Sequence, residues 1–480
     1  MDKKGLSFFT IISTVICVVF VCEAAAPAAA IGNQQFFWWI FLIITFLVPY
    51  GLAVAELGTA YESDGGIIDW IRDGLGDKWA ARAAYYYWVN YPFWIASLAT
   101  LFPTILSWVF GVDLESNILI VLAIELAFTW IVTLMAFSPV SDSEAVLNGG
   151  AIIKVAVAVV VGCIGIWYAT QNGFATDMSF NTFLPDLTST SALGFISIII
   201  FNFMGFEVIC TMTGDMKDPK REIPRAIIMG GVAIAAIYLF ASFGIGAAIP
   251  ADQIDPDFGM LVAVQTMVGD GILFKVIAIA FLVTLFANMA SWSFGVNSVA
   301  AYAAKTGNMP KVFGKMNPKT GMPDGAAITN GVVTSLILCI QLIPNEAISS
   351  GVFWMLFGMS VVFLLITYIP MFPAFINLRK VDPDRPRIYE FPFKGTVMKV
   401  ALIIPAVELV LTVIATLVPL SADEIADKVP MAIGFAVLLV VGEIVRIWSA
   451  RGRKEEYKGL TPELAAQRLV EEAAAGEAGE

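Results

Sequence analysis

Apolar runs of helix-spanning length recur from one end of the chain to the other, separated by short polar stretches. About 20 apolar residues carry an α-helix across the hydrocarbon core of a bilayer. Twelve segments meet that measure: 7–31, 37–61, 84–110, 117–137, 149–170, 192–214, 226–249, 272–304, 325–343, 351–377, 397–419 and 430–449. The eighth is long enough to run past the bilayer. The pattern predicts an all-α polytopic membrane protein of twelve transmembrane helices. A single transmembrane domain spans 1–450, and a polar tail covers 451–480. In the tail, Thr461-Pro462-Glu463 reads as a helix start, with Thr as N-cap and Pro at the first helical position. The first run follows Lys3 and Lys4 and ends in small residues near Ala24–Ala30, as a signal peptide does. Its length instead marks it as a span, and its removal would reverse the loop charges.

Those charges set the topology. Lys and Arg gather in the 62–83 loop (Arg72, Lys78, Arg82), the 215–225 loop (Lys217, Lys220, Arg221, Arg225) and the 305–324 loop (Lys305, Lys311, Lys315, Lys319). They recur in the 378–396 loop (Arg379, Lys380, Arg385, Arg387, Lys394), the tail and the N-terminus. These stretches alternate along the chain, so they share one side, and positive loops face the cytoplasm. Both termini are therefore expected in the cytoplasm, with the chain in an inner cell membrane. The 138–148 loop is the one inside loop without Lys or Arg, and Lys428 is the one basic residue of the outer loops. The outer loops are acidic, with Asp113, Asp177, Asp186, Asp252, Asp255, Asp257 and Asp423 among them. That face would concentrate cations; solvation, with exclusion of Lys and Arg from translocated loops, is the simpler explanation.

Composition agrees: 58% hydrophobic and 14% charged residues, against about 25% charged in soluble domains. The chain has no His, which removes imidazole chemistry, and its five Cys lie in apolar runs without disulfide or zinc spacing. No cofactor, metal or nucleic acid is implied, and no nucleophile motif or large soluble domain suggests an enzyme.

The candidate chemistry lies at membrane depth. Gly205 and Glu207 sit well inside segment 6. A carboxylate there costs several kcal/mol unless it faces protein or water, and Gly eases opening of the helix in the same turn. Together they suggest a span broken near the bilayer midplane, with an acid lining a cavity; a packed Gly and an interhelical hydrogen bond would be the plainer explanation. Segment 1 carries Pro27 in CEAAAPAAAIG, where Pro kinks a membrane helix. Tyr87, Tyr91 and Trp94 share a face of segment 3 at i, i+4, i+7.

Three stretches resemble one family. They are VAELGTAYESDGGIIDWIRDGLGDKW, GFEVICTMTGDMKDPKREIPRA and AAKTGNMPKVFGKMNPKTGMP. In this order and frame they are similar to motifs of the amino acid–polyamine–organocation (APC) superfamily. The resemblance implies a LeuT-like 5+5 inverted repeat, about 7–170 and 192–377, with segments 1 and 6 interrupted and two further helices at about 397–449. Cargo would sit between segments 1, 3, 6, 8 and 10. Segment 1 departs from the family: its glycine break is missing, and Cys22, Glu23 and Ala24 stand at that place. The glutamate/GABA antiporter branch lacks the same glycines, and the polyamine-uptake branch carries a Glu nearby. Glu23 and Glu207 on the two broken spans are thus expected to clamp an amine; a neutral Glu23 bonded to a neighbouring helix is the alternative. By the same resemblance Phe201 is a gating aromatic, Trp292 a cation-stacking ring, and Glu207 a proton sensor. Asn202, Gly205, Tyr87 and Tyr91 complete the expected lining. Lys154 would occupy the volume of a sodium site and serve coupling; snorkelling to the surface is its plainer fate.

The expected function is a secondary active transporter, an exchanger or proton-coupled permease. It would move amino acids or related amines by alternating access. A dedicated polyamine or cationic amine transporter is the near alternative, and a channel or receptor fits less well.

Overall fold

A computed structural model describes residues 8–61, 65–138, 144–188, 190–207, 209, 216–342, 352–419, 422 and 424–451, with 461, 464, 466–468, 470 and 471 of the tail. Among them, ten helical stretches are long and apolar enough to cross a membrane, from Gln35–Ala60 to Lys428–Ala450. They coincide with segments 2–5 and 7–12. Segments 1 and 6 contribute no single helix of that length, because both are interrupted.

Segment 1 is α1 (Phe8–Val19) and α2 (Ala25–Ala30), joined through an extended Val21 and a 3₁₀ turn at Cys22–Ala24. The break lies three to seven residues before Pro27 rather than at it. Pro27 falls in the first turn of α2, where its missing N–H leaves no helical acceptor unserved. Segment 2 is α3 (Gln35–Leu42) and α4 (Val48–Ala60), with a π turn at Ile43–Leu47 between them. The 62–83 stretch, expected as a loop, contains α5 (Ile67–Leu75), a short amphipathic helix that is buried over most of its length. Then follow α6 (Asp77–Phe110), α7 (Ile118–Met135) and α8 (Glu144–Asn172). Asn117 caps α7 by accepting from the Leu119 amide at 2.9 Å.

Segment 6 begins as α9 (Thr190–Phe201) and leaves the helix through Gly205, at φ +98°. Its predicted second half, 208–214, lies outside the described residues except Ile209. The remaining helices are α10 (Pro219–Ala248), the short α11 (Gly259–Val268), α12 (Ile272–Lys305), α13 (Asp324–Leu338), α14 (Val352–Tyr368), α15 (Met371–Val381), α16 (Gly395–Leu417) and α17 (Ile425–Ala450). In the tail, the Thr461 hydroxyl accepts from the Leu464 amide at 3.3 Å, as an N-cap does.

The core forms around α6, which packs along α14 and α12, while α8 packs on α10 and α12. The α8–α10 contact depends on small residues: a Cβ at Gly165 would stand 2.2 Å from Gly244 Cα. Such closeness is how apolar helices gain attraction in lipid, where burial alone offers little. On the outside, α16 and α17 keep apolar residues such as Ile403, Leu411, Val440 and Ile444 exposed, as lipid-facing helices do. The breaks of segments 1 and 6 lie inside, where Phe20, Val21, Cys22, Phe201 and Phe203 are buried together.

Other acids at membrane depth differ in how far they are met. One oxygen of Glu125 accepts from Gln341 at 2.8 Å, its other oxygen and one of Glu408 have no partner among the described residues, and Glu443 meets Arg82 and Arg446. Glu56, in the last turns of α4, accepts from Arg379, Arg387 and the Phe391 amide.

Candidate binding site at the two breaks

An interrupted span frees backbone groups that must find partners other than their own helix. In segment 1 the freed carbonyl of Phe20 accepts from Lys154 Nζ at 3.1 Å. The Val21 amide and carbonyl both meet the Tyr238 hydroxyl, at 3.0 and 2.7 Å. Trp292 Nε1 donates to Val18 O at 3.0 Å. Three elements, α8, α10 and α12, therefore hold the break open.

Glu23 sits in the 3₁₀ turn and is 3% exposed. Its Oε1 accepts from Trp94 Nε1 at 3.3 Å and from Asn288 Nδ2 at 3.0 Å. Its Oε2 has no partner among the described residues. An unmet hydrogen bond on a buried polar atom costs roughly 1–3 kcal/mol, and more on a charged one. Lys154 is buried and does not snorkel: its ammonium donates to Asn288 Oδ1 at 2.9 Å. Asn288 thus stands between ammonium and carboxylate, bonded to both.

Aromatic rings wall this centre. Trp94 lies 5.2 Å from both Phe201 and Trp292, ring centre to ring centre, and Phe201 meets Phe357 at 5.4 Å. Gly205 belongs here for a steric reason: a Cβ on it would come within 3.3 Å of the Trp292 ring. Cys22 is buried with its thiol directed at Lys154 O, 3.4 Å away. The amides of Ala24 and Ala25 are taken by Val21 O and Cys22 O. Neither is bare in the way a carboxylate-binding break requires. Asn202 is fully buried, with Oδ1 at 2.9 Å from the Tyr238 hydroxyl.

Glu207 forms a second centre. Its carboxylate accepts from Tyr368 at 2.6 Å and Tyr50 at 3.1 Å, and Tyr87 lies close enough to interact with it. Neither tyrosine hydroxyl touches Glu23. On α6, Tyr87 faces one acid and Trp94 the other, seven residues or about 10 Å apart along a helix. The two acids are therefore not brought onto one point. Tyr91, between those levels, spends its hydroxyl on Met289 O at 2.6 Å.

Sequence reasoning missed Asn288, Tyr238, Tyr50 and Tyr368. Asn288 lies one helical turn before Trp292 and was findable as a polar residue inside an apolar run. The tyrosines carry no local signature.

The profile of the amino acid permease family matches residues 6–441. A probable agmatine/putrescine antiporter, AguD, of Lactococcus lactis subsp. lactis is 46% identical over 448 residues, covering 92% of this chain and 95% of its own. A glutamate/gamma-aminobutyrate antiporter of the same organism is 22% identical over 360 residues, covering 73% and 71%. Among solved structures, MhsT in complex with L-phenylalanine superposes with a TM-score of 0.54 at 13% identity, covering 92% of this chain and all of that one. At that identity the likeness is one of fold.

Proposed function

The chain belongs to the amino acid permease family, and from that premise we propose that it is an antiporter of cationic amines. One observation carries the choice of cargo: the buried Glu23 oxygen without a partner, walled by Trp94, Trp292 and Phe201. An ammonium supplies the missing hydrogen bond and the missing charge together, and the rings stabilise a desolvated cation by about 2 kcal/mol. The printed name of the AguD relative, an agmatine/putrescine antiporter, supports the same class. A spacing of about 10 Å between the acid levels suits the two ends of one short diamine better than a single ammonium. Glu207 with Tyr50, Tyr87 and Tyr368 would then receive the far end.

Exchange of α-amino acids is the second reading, supported by the glutamate/gamma-aminobutyrate relative. The occupied amides of Ala24 and Ala25 speak against a carboxylate at this break. Lys154 supplies a fixed charge that would repel sodium and leave protons as the coupling ion. The chain would lie in the inner membrane, basic loops and both termini toward the cytoplasm. It would perform no covalent chemistry.

Counterflow in proteoliposomes tests the proposal. Internal putrescine or agmatine should accelerate uptake of labelled putrescine, and neutral amino acids should not. Absence of any amine-driven stimulation would refute it. Stimulation by α-amino acids alone would select the second reading.

A further inference from the structure

Away from both acids, a cavity lies between α2, the start of α3, the last turns of α10 and the acidic stretch that follows α8. A stacked pair of rings shows how two of its walls meet. Trp39 of α3 lies on Tyr238 of α10, ring centres 5.3 Å apart. Gln35 comes one helical turn before Trp39, and Ser242 one turn after Tyr238. Both therefore belong to the faces that meet there, about 6 Å further toward the start of α3 and the end of α10. Both line the cavity, and both are buried, at 3% and 2% exposure.

The polar groups here leave acceptors over. Gln35 Oε1 and Ser242 Oγ have no partner among the described residues. Exchanging the two ends of the Gln35 amide mends nothing, because its nitrogen has no partner among them either. Asn33 lines the same cavity, and its amide is fixed. Its Nδ2 donates to Asp177 O at 2.7 Å, a carbonyl that can only accept, and to Thr182 Oγ1 at 2.8 Å. The end left over is the oxygen. No Lys or Arg lines the cavity, whereas the exposed Asp177 stands in the chain between Thr176 and Met178, which do. Three rings complete the wall: Phe36, with Phe174 and Phe243, which meet edge-on at 4.8 Å. The space is about 290 Å³, part of it open to solvent, at the lower end of ligand pockets, so its occupant is small. An ammonium brings a positive charge and three donors, and it is attracted by aromatic rings. A carboxylate or phosphate would meet acceptors and no counter-charge.

We propose that this cavity is a second binding site, separate from Glu23, for the ammonium end of a short aliphatic amine arriving from the side of the acidic loops. The choice of an amine here follows from the groups of the cavity; only the occupancy of Glu23 by an amine rests on the proposed function. Ala29 of α2 is part of the wall, so an occupant braces the second half of segment 1 against α3 and α10. One turn away, the Tyr238 hydroxyl holds the Val21 amide and carbonyl at 3.0 and 2.7 Å. An amine in the cavity thus sits next to the ring pair that supports the segment 1 break.

Equilibrium dialysis of labelled putrescine against the full-length protein in detergent tests this. Wild type should bind two molecules per chain. Glu23→Gln should weaken one of them and leave the other, and in that background the remaining site is examined through Gln35. Gln35→Leu should raise its Kd at least about tenfold, and Ser242→Ala about threefold or more. Gln35→Glu, which turns a neutral acceptor into a charged one, should lower it about fivefold or more. A Gln35 that only packs α3 would make both of its variants bind alike. If the site remaining in Glu23→Gln is indifferent to the Gln35 variants, the inference falls. If wild type binds putrescine and Glu23→Gln binds none, the inference falls and the proposed function stands. If one site is seen, governed by Gln35 and not by Glu23, the inference stands and the proposed function falls. If wild type binds no amine, both fall. Should Gln35→Leu fail to fold, Gln35→Glu and Ser242→Ala decide, since a cavity that holds water only would give no putrescine Kd for either to move.

Discussion

At Glu23 a single carboxylate is divided between two tasks. Oε1 is held by Trp94 and Asn288, and Oε2 is left open. Glu23→Gln preserves an acceptor for the first task and removes the charge from the second. A hydrogen bond to a charged partner is worth about 1.5–3 kcal/mol, so affinity for an amine should fall roughly 10- to 150-fold. Affinity for a neutral amino acid should fall far less. Competition binding with both ligands measures this, and equal losses would make Glu23 a structural residue. A different acid reports on the outer loops. Asp257 lies between α10 and α11, and burial, with the neighbouring charge of Asp255, pushes its carboxyl up to about 7. One of its oxygens has no partner among the described residues. The folded chain therefore keeps a proton that the unfolded chain releases from about pH 4 upward. The associated stability is complete below that pH and is lost as pH rises through about 7. Asp257→Asn should accordingly melt above wild type at pH 8 and level with it at pH 4. An equal offset at both pH values would remove titration from the explanation.

At the scale of elements, the breaks decide what the spans can do. Gly205 holds φ +98°, a region that an L side chain occupies only under strain of about 1–3 kcal/mol, and Trp292 fills the space a Cβ would need. Gly205→Ala should lower exchange at least about tenfold. Gly295→Ala, on an exposed face of α12 with nothing near its Cβ, should leave exchange within about twofold and raise stability slightly. Similar effects from both substitutions would mean that helix propensity, not the break, is responsible. Gly205 was legible because a Gly and an acid share one turn of an apolar run. The first break was legible by resemblance, which set Cys22, Glu23 and Ala24 at its place, and less so from the residues alone. Pro27 drew it toward the alanines, whereas the chain opens at Phe20–Cys22, where Lys154 and Tyr238 supply the lost partners. Those partners are over 130 residues away, and no local pattern encodes them. Helix α5 escaped for another reason: nine residues with three charges read as loop until Ala374 and Asn377 of α15 are seen against Gly74. Run length encodes spans well because lipid imposes it on every span. Side-chain partners across the bundle follow from tertiary packing alone.

For the molecule as a whole, the proposed exchange by alternating access would require one side to be closed when the other is open, and the Glu56 cluster among the basic loops would be suited to such a closure. Glu56, 2% exposed near the end of α4, accepts from Arg379 Nε at 2.6 Å, Arg387 Nε at 3.0 Å and the Phe391 amide at 2.7 Å. Beside it Arg385 donates to Ala60 O at 2.7 Å, and Tyr61 meets Asp382 at 3.3 Å. The end of segment 2 is thus fastened to the stretch following α15. A buried carboxylate removed from such partners costs about 3–5 kcal/mol, because the arginines left behind lose their counter-charge. That cost falls on the closed arrangement, in which the pair is buried, and much less on an open one in which water reaches the arginines. Glu56→Gln should therefore shift the population toward opening at the basic side by at least about tenfold. Cys22 is a built-in reporter, since its thiol is buried at the break and water reaches it only through an opened path. With the other four cysteines replaced by Ser, an impermeant maleimide added at the basic side should label Cys22 faster in Glu56→Gln than in the parent, and putrescine should slow it. Labelling that accelerates equally from the acidic side would indicate general loosening instead. Unchanged labelling would mean that Glu56 and its arginines move as one rigid piece, and that closure lies deeper, at Glu207 and its tyrosines.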